Sequence, residues 1–326
     1  MLALLSETMQ VTIGYTSHSM ETIPASKRIM EAHDLIITEE APAPGFTLML
    51  NKKIPIRTYI EEEHLEFPRF SKRYFVLLRV LYGDGKKILQ VEPYIERLLK
   101  IYAMFSDGKN PSDVEKIPAL REVYAAEKRA TAALLTFYER SISGPFPSVI
   151  ESVRRFAKAD AEKFRLRDSL RAHSIAEVVR KERKRIFVET GSIHVYLERV
   201  LRRKLKQLCR IETVNLLEDH IRYLTGRSTF FPPGDILTLH YILRRKERRD
   251  YESLLAAQSI LYSKLLKKEE ILPSRKSRAP HLEDKIGITA LVGNLTVEKC
   301  EELFSRIRFL TREKALEIVK EHTHSA

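Results

Sequence analysis

Four short apolar runs, each closed by a histidine or a carboxylate, limit most strongly what this chain can fold into. They are Val11-Thr-Ile-Gly-Tyr-Thr-Ser-His18, Asp34-Leu-Ile-Ile-Thr38 followed by Glu39 and Glu40, Lys87-Ile-Leu-Gln-Val91 followed by Glu92, and Arg185-Ile-Phe-Val-Glu-Thr-Gly-Ser-Ile-His194. Runs of this length, rich in Ile and Val, read as buried strands. Helix-period segments separate them, and that alternation predicts an α/β fold with a mixed or mainly parallel central sheet. In an open sheet of this kind ligands bind beyond the carboxyl ends of the strands. The four closing residues therefore become a candidate site.

The first and fourth runs share a design. Gly14 precedes His18 and a helical stretch from Ser19 to Met30, while Gly191 precedes His194 and a helix with Val195, Leu197, Val200, Leu201 and Leu205 on one face. Two such units predict a sheet of two related halves that arose by duplication. Between them, Lys53–Ile60 reads as an extended segment, with Pro55 placing it at an edge or in a loop. Phe70–Tyr82 reads as a helix ended by Gly83-Asp-Gly85, and Pro93 suits the opening of another. A long helical insertion follows at 111–182, broken at Gly144-Pro-Phe-Pro147.

After the second histidine unit, Lys206–Glu212 reads as a strand and Val214–Leu224 as a helix. Asp235–Lys268 is expected to be helical with a basic face, Leu272–Pro280 a connector, and 297–308 and 311–321 two closing helices before a disordered tail with His322 and His324. This divides the chain into an α/β domain at 1–212, with the insertion inside it, and a basic, mainly helical region at 213–326.

Charge and cysteine content bear on partners and compartment. The formal net charge is +13, concentrated at 180–185, 202–206, 244–249 and 275–278. An excess of this size can attract nucleic acid or another polyanion, but no RNA- or DNA-binding motif accompanies it, which favours solvated helix faces and a linker over a nucleic-acid groove. Cys209 and Cys300 form neither a disulfide framework nor a CxxC metal site, which points to a reducing cytoplasm. Met1–Leu5 is apolar but too short for a signal core, and no run reaches the ~20 apolar residues of a membrane span.

Two imidazoles and two carboxylates at one sheet edge suit two chemistries. His18, Glu39, Glu92 and His194 could ligate a divalent transition metal that lowers the pKa of a bound water, or a histidine oriented by a carboxylate could act as general base. The chain lacks HExxH, GxSxG, GxxxxGK[ST] and GxGxxG, which leaves zincin, serine hydrolase, P-loop and dinucleotide readings without support. Arg167 and Asp168 lie in the helix leading to the fourth run and could reach the same crevice, where an arginine would bind an anion or a developing oxyanion.

The strand-glycine-histidine unit, the carboxylate after the next strand, Arg167-Asp168 followed by Ala172 and Ile175, and then Gly191-x-x-His194 resemble the TraB/Tiki-type superfamily, which includes ChaN-like haem-uptake proteins and erythromycin esterase-like hydrolases. The resemblance covers about residues 10–205. It implies an α/β fold of two related halves, with His18, Glu39, Arg167 and His194 as the functional positions in one cleft. Activities in that superfamily include metal-dependent peptide cleavage, ester hydrolysis and haem binding. The chain departs from the pattern at Gly14-x-x-x-His18, one residue longer than Gly-x-x-His, and at Arg171, where an apolar residue is usual. The expected function is hydrolysis of a peptide or ester bond by water activated through a metal or a histidine. The alternatives are a non-enzymatic binder of nucleic acid through basic helices, and a haem or small-ligand binder using the same cleft.

Overall fold

The computed structural model describes residues 9–245 and 247–324, and Met1–Leu5 lies outside them. Strands β1 (Gln10–Thr16), β2 (Leu35–Thr38), β3 (Lys87–Gln90), β4 (Arg185–Gly191) and β5 (Arg210–Asn215) form one sheet in the order β3-β2-β4-β1-β5. All four pairings are parallel. Parallel neighbours need crossovers, and helices supply them. Between β1 and β3 lie α1 (Ile23–Glu31), α2 (Pro44–Leu50), α3 (Ile56–Glu62) and α4 (Pro68–Gly83). From β3 to β4 the chain runs through α5 (Pro93–Ser106), α6 (Pro111–Glu115), α7 (Pro118–Ser143) and α8 (Phe146–Glu182), and α9 (Val195–Lys204) joins β4 to β5.

Alternate side chains along each strand serve opposite faces. Ile36 and Phe187 pack with Met30, Phe46, Tyr59, Phe75 and Leu78 from α1 to α4. Ile13, Ile37 and Val188 pack with Ala172, Ile175 and Val179 of α8 and Leu197 and Leu201 of α9. Both faces are therefore covered, as an all-parallel sheet requires. The chain leaves β1 and β2 towards the first face and β4 towards the second, so the carboxyl ends of β2, β4 and β1 border the crevice where connections diverge.

The two histidine-bearing strands are neighbours, in register from Gln10↔Arg185 to Thr16↔Gly191. Their glycines are not equivalent. Gly14 pairs with Glu189 inside the strand, while Gly191 stands opposite Thr16 at the strand end, which accounts for the extra residue before His18. A Cβ on Gly14 would lie 2.3 Å from Cζ of Phe187, so this glycine makes room for a core ring. Gly14→Ala should therefore destabilise the fold by about 1–3 kcal/mol through overpacking. Urea denaturation of Gly14→Ala and of Gly14→Ala/Phe187→Leu checks this: the smaller residue should restore part of the loss, and equal stability of both variants would refute the contact.

Several segments differ from expectation. The segment at 53–60 is not extended, because Pro55 caps α3 and Ile56, Tyr59 and Ile60 bury one helical face. A proline at a helix start loses no hydrogen bond, so the edge-strand reading gives way. Strand β5 starts four residues after the start of the expected run Lys206–Glu212 and ends three after its end, and the next helix, α10 (Glu218–Thr225), follows the buried Leu216 and Leu217. The stretch 235–268 holds two helices, α11 (Pro233–Ile242) and α12 (Arg249–Leu265), and the cation run beginning at Arg244 separates them. Pro280 opens a further helix, α13 (Pro280–Gly293), ahead of α14 (Val297–Ile307) and α15 (Arg312–His324), which includes the histidines assigned to a disordered tail.

The division at 212 also falls differently. One unit comprises the sheet, residues up to 110, 167–229 and 270–280; the other comprises 111–166, 230–269 and 281 onward. The second unit has its own core, including Phe146, Val149, Leu255, Leu261, Leu303 and Ile307. Helical periodicity continues unbroken through α8, so nothing local marks the change of unit at Arg167. Among the described residues no helix is long and apolar enough to cross a membrane.

Candidate functional site

All four closing residues and Arg167 lie in the sheet unit, and the strands bring them to one edge. Glu39 is the centre. It directly follows β2, is 5% exposed at its side chain, and places Oε1 2.9 Å from His194 Nε2 and 3.0 Å from Arg167 Nη2. Its Oε2 lies 3.7 Å from His18 Nε2 and accepts the Gly191 N–H. A side chain larger than hydrogen at Gly191 would meet His194 Cδ2 at 3.4 Å and Glu39 Oε2 at 3.6 Å. These are ordinary van der Waals contacts, so the role of Gly191 here is its backbone N–H, which donates to Glu39 between the two histidines.

His194 is the N-cap of α9, and its side chain is 4% exposed. Asp168 bonds to its Nδ1 and uses its other oxygen to accept the Leu197 N–H at 3.0 Å. One buried carboxylate therefore satisfies an open N–H of the helix and fixes the imidazole, leaving Nε2 for Glu39. Burial disfavours the charged imidazole, but the Glu39 charge, the hydrogen bonds to Asp168 and Glu39, and the Asp168 charge together push its pKa up to about 9. Burial likewise opposes ionisation of Glu39. The charges of His194 and Arg171 and hydrogen bonds from both histidines outweigh it, and the carboxyl stays well below its usual range. At neutral pH the pair is imidazolium and carboxylate.

His18 is the accessible member, 43% exposed at its side chain, with its ring edge-on to Phe70 at 6.2 Å. Its backbone has φ +49°, a conformation uncommon without glycine. The surrounding protein opposes its protonation, but the Glu39 hydrogen bond and the charges of Glu189, Glu39 and Glu40 raise its pKa above the ordinary value.

Two arginines from successive turns of α8 support the carboxylates. Arg167 Nη2 bridges Glu39 and Glu92, at 3.0 and 3.1 Å. Arg171 is 0% exposed and reaches three strand ends: it donates to the carbonyls of Val91 (2.9 Å), Thr38 (3.2 Å) and Glu189 (2.7 Å) and to the Thr190 hydroxyl (3.0 Å). The residue that departs from the resemblance thus joins β2, β3 and β4 at their carboxyl ends. Glu92, buried at the start of α5, faces both guanidiniums, with Arg171 Nε 3.6 Å away.

Of the expected metal ligands, Glu92 is the one the structure turns elsewhere: ion pairs with Arg167 and Arg171 occupy it. His18, Glu39 and His194 have the donor types of a divalent site. They do not meet at a point, since Glu39 offers a different oxygen to each histidine. Among the described residues no group of three His, Cys, Asp or Glu side chains is set to hold a metal ion.

Sequence reasoning placed Asp168 beside Arg167 at the crevice without giving it a role, and left Arg171, Glu189 and Tyr74 out of the site. Glu189 is buried within β4, and the Tyr74 hydroxyl donates to it. Burial is the main cause of its raised pKa. A carboxylate inside Ile-Phe-Val-Glu-Thr is the signal that could have found it, because a charge on a strand buried on both faces needs a partner. Glu40, after Glu39, accepts from Gln90 Nε2 at 3.0 Å, and burial pushes its pKa up to about 7.

Comparison with known proteins adds one relative. An uncharacterized protein of Archaeoglobus fulgidus is 28% identical over 294 residues, covering 90% of this chain and 97% of that protein. No family model matches the chain, and no solved structure matches it.

Proposed function

We propose that this protein is a hydrolase of the TraB/Tiki type that cleaves a peptide or ester bond with an activated water. The supporting observation is the convergence of His18, Arg167 and His194 on Glu39 at the carboxyl edge of one parallel sheet. The accessible His18 is the group that meets substrate and water. Its proton balance is set by the carboxylates around it, and a histidine so placed is suited to proton transfer. His194, held by Asp168, keeps Glu39 ionised and fixed, and Arg167 offers a cation to the oxyanion that develops on a carbonyl oxygen. The arrangement favours this histidine and carboxylate route. In the alternative, His18, Glu39 and His194 would draw together to hold a divalent ion, and the chemistry it would supply is a more acidic water and Lewis-acid polarisation of the carbonyl. The two cysteines are free, Cys300 buried, in keeping with a cytoplasmic setting.

Hydrolysis of a panel of aryl esters and short peptides, with and without added Zn²⁺, Mn²⁺ or Co²⁺ and after chelation, tests the proposal. His18→Ala and Glu39→Gln should each lower the rate by about 10²–10⁴-fold, the usual size of a general acid–base contribution. Activity that survives chelation supports the histidine route, and activity restored only by added metal supports the metal route. Absence of hydrolysis under every condition, or unchanged rates in both variants, overturns the assignment.

A further inference from the structure

The strongest charged feature outside the cleft lies at the opposite, amino edge of the sheet. There the last helical turn of α8 carries Lys181 and its link to β4 carries Arg183 and Lys184, while the last helical turn of α9 carries Arg203 and its link to β5 carries Lys206. All five side chains are exposed and none forms an ion pair among the described residues; the Glu182 carboxylate near Lys184 is paired with Lys87. Neighbouring cations are already committed: Arg185 pairs with Asp34, Arg202 with Glu198 and Arg210 with Glu212.

The fold joins two clusters that are about twenty residues apart in sequence. Arg180 Nη2 donates to the Lys204 carbonyl at 3.2 Å, which ties the end of α8 to the end of α9. Strand β1 pairs with both β4 and β5, so only Gln10 separates Arg185 from Arg210 across the sheet. Cations near a helix C-terminus offset its dipole, which accounts for one at each end. Five exposed cations at two adjacent helix ends exceed that need and repel one another. Arg183 holds φ +46°, a conformation disfavoured for a residue with a side chain, and the turn keeps the flanking lysines outside the packed layers.

We propose that this edge binds the phosphate backbone of nucleic acid, at a surface separate from the histidine cleft. Long, flexible cations on turns suit a solvated chain of phosphates, whose binding draws on counterion release. Apolar side chains that would insert into a lipid surface are sparse: Leu208, 42% exposed, is the large hydrophobic exposed on these two turns. The proposal is independent of the hydrolase reading.

The test uses the full chain and fluorescein-labelled 20-base-pair DNA and RNA duplexes, with anisotropy measured from about 50 to 250 mM salt. The wild type should bind with a log–log salt slope of about −4, from four to five phosphate contacts. The variant Lys181→Glu/Arg183→Glu/Lys184→Glu should weaken binding by at least about tenfold at low salt and reduce the slope by about 3. Lys267→Glu/Lys268→Glu/Lys314→Glu makes the same change of net charge in the helical unit and should bind nearly as the wild type does. Circular dichroism confirms that both variants are folded; should the first fail, single Lys181→Ala and Lys184→Ala variants should each lower the slope by about 1. Equal loss in the two triple variants, no binding at about 50 mM salt, or binding to phosphatidylserine vesicles but not to duplexes overturns the proposal.

Discussion

Replacing Arg171 with leucine is expected to remove about 3–5 kcal/mol of folding stability, the range for taking one partner from a buried ionic network. That is a large fraction of the ~5–15 kcal/mol that holds a typical protein folded. The variant would strip donors from the carbonyls of Thr38, Val91 and Glu189 while leaving Glu92 buried beside Arg167 alone. Arg171→Lys should recover little, because a single ammonium cannot reproduce a planar fork that serves three strand ends. Glu92→Gln in the leucine background should return part of the loss by discharging the stranded carboxylate. Urea unfolding at pH 7 followed by circular dichroism reads these differences, and a loss below about 1 kcal/mol for Arg171→Leu would mean that the network is dispensable.

Stability should peak between about pH 4.5 and 6.5 and fall on both sides, for reasons that can be signed group by group. His194 has a folded pKa of about 9 against an ordinary 6.5, so its contribution is complete below 6.5 and lost as pH rises through 9. Integrated over that interval it amounts to about 3 kcal/mol. His18, also raised, acts in the same direction. Glu39 is depressed from 4.5, so its contribution is present above that value and disappears as acid protonates it. Glu40, raised to about 7, adds a penalty for burying its charge that grows between pH 4.5 and 7, which shifts the maximum towards the acid end of that window. Asp168→Asn should remove much of the slope between pH 6.5 and 9, since the carboxylate that helps hold the His194 proton is gone. Melting temperature measured from pH 4 to 10 in both proteins decides it: an equal alkaline slope in the variant would show that Asp168 does not govern His194.

Strands β1 to β4 were legible because each holds a run of neighbouring apolar residues closed by a histidine or a carboxylate, whereas β5, mostly polar, was placed too early. Val11, Leu35, Ile88 and Ile186 all fall in strands of the sheet, and His18, Glu39, Glu92 and His194 all lie at its carboxyl edge. Helix starts at proline were harder. Pro44 and Pro55 carry the same local signal as an edge strand or a loop, and only burial of Phe46, Tyr59 and Ile60 against α4 decides for helix.

Arg167 and Asp168 were legible as neighbours of the crevice, but their pairing with Glu39, Glu92 and His194, and the role of Arg171, were not. Arg167, Asp168 and Arg171 sit in a helix whose other residues are a normal mixture of charge and small apolar groups, and on composition they read as a solvated face. Their burial follows from where the crossover from β3 to β4 lays the second half of α8, across the ends of β2, β3 and β4.

By itself, the amino-acid order determined which segments become strands, which residues close them, and that helices must separate them, because these properties depend on side chains a few positions apart. Tertiary structure alone decided that β4 lies between β1 and β2, that Glu39 sits between two histidines while Glu92 is held by arginines, and that two basic turns form one edge. Strand order governs contacts between residues more than a hundred positions apart, and that order is settled by how whole helices cover the two faces of the sheet.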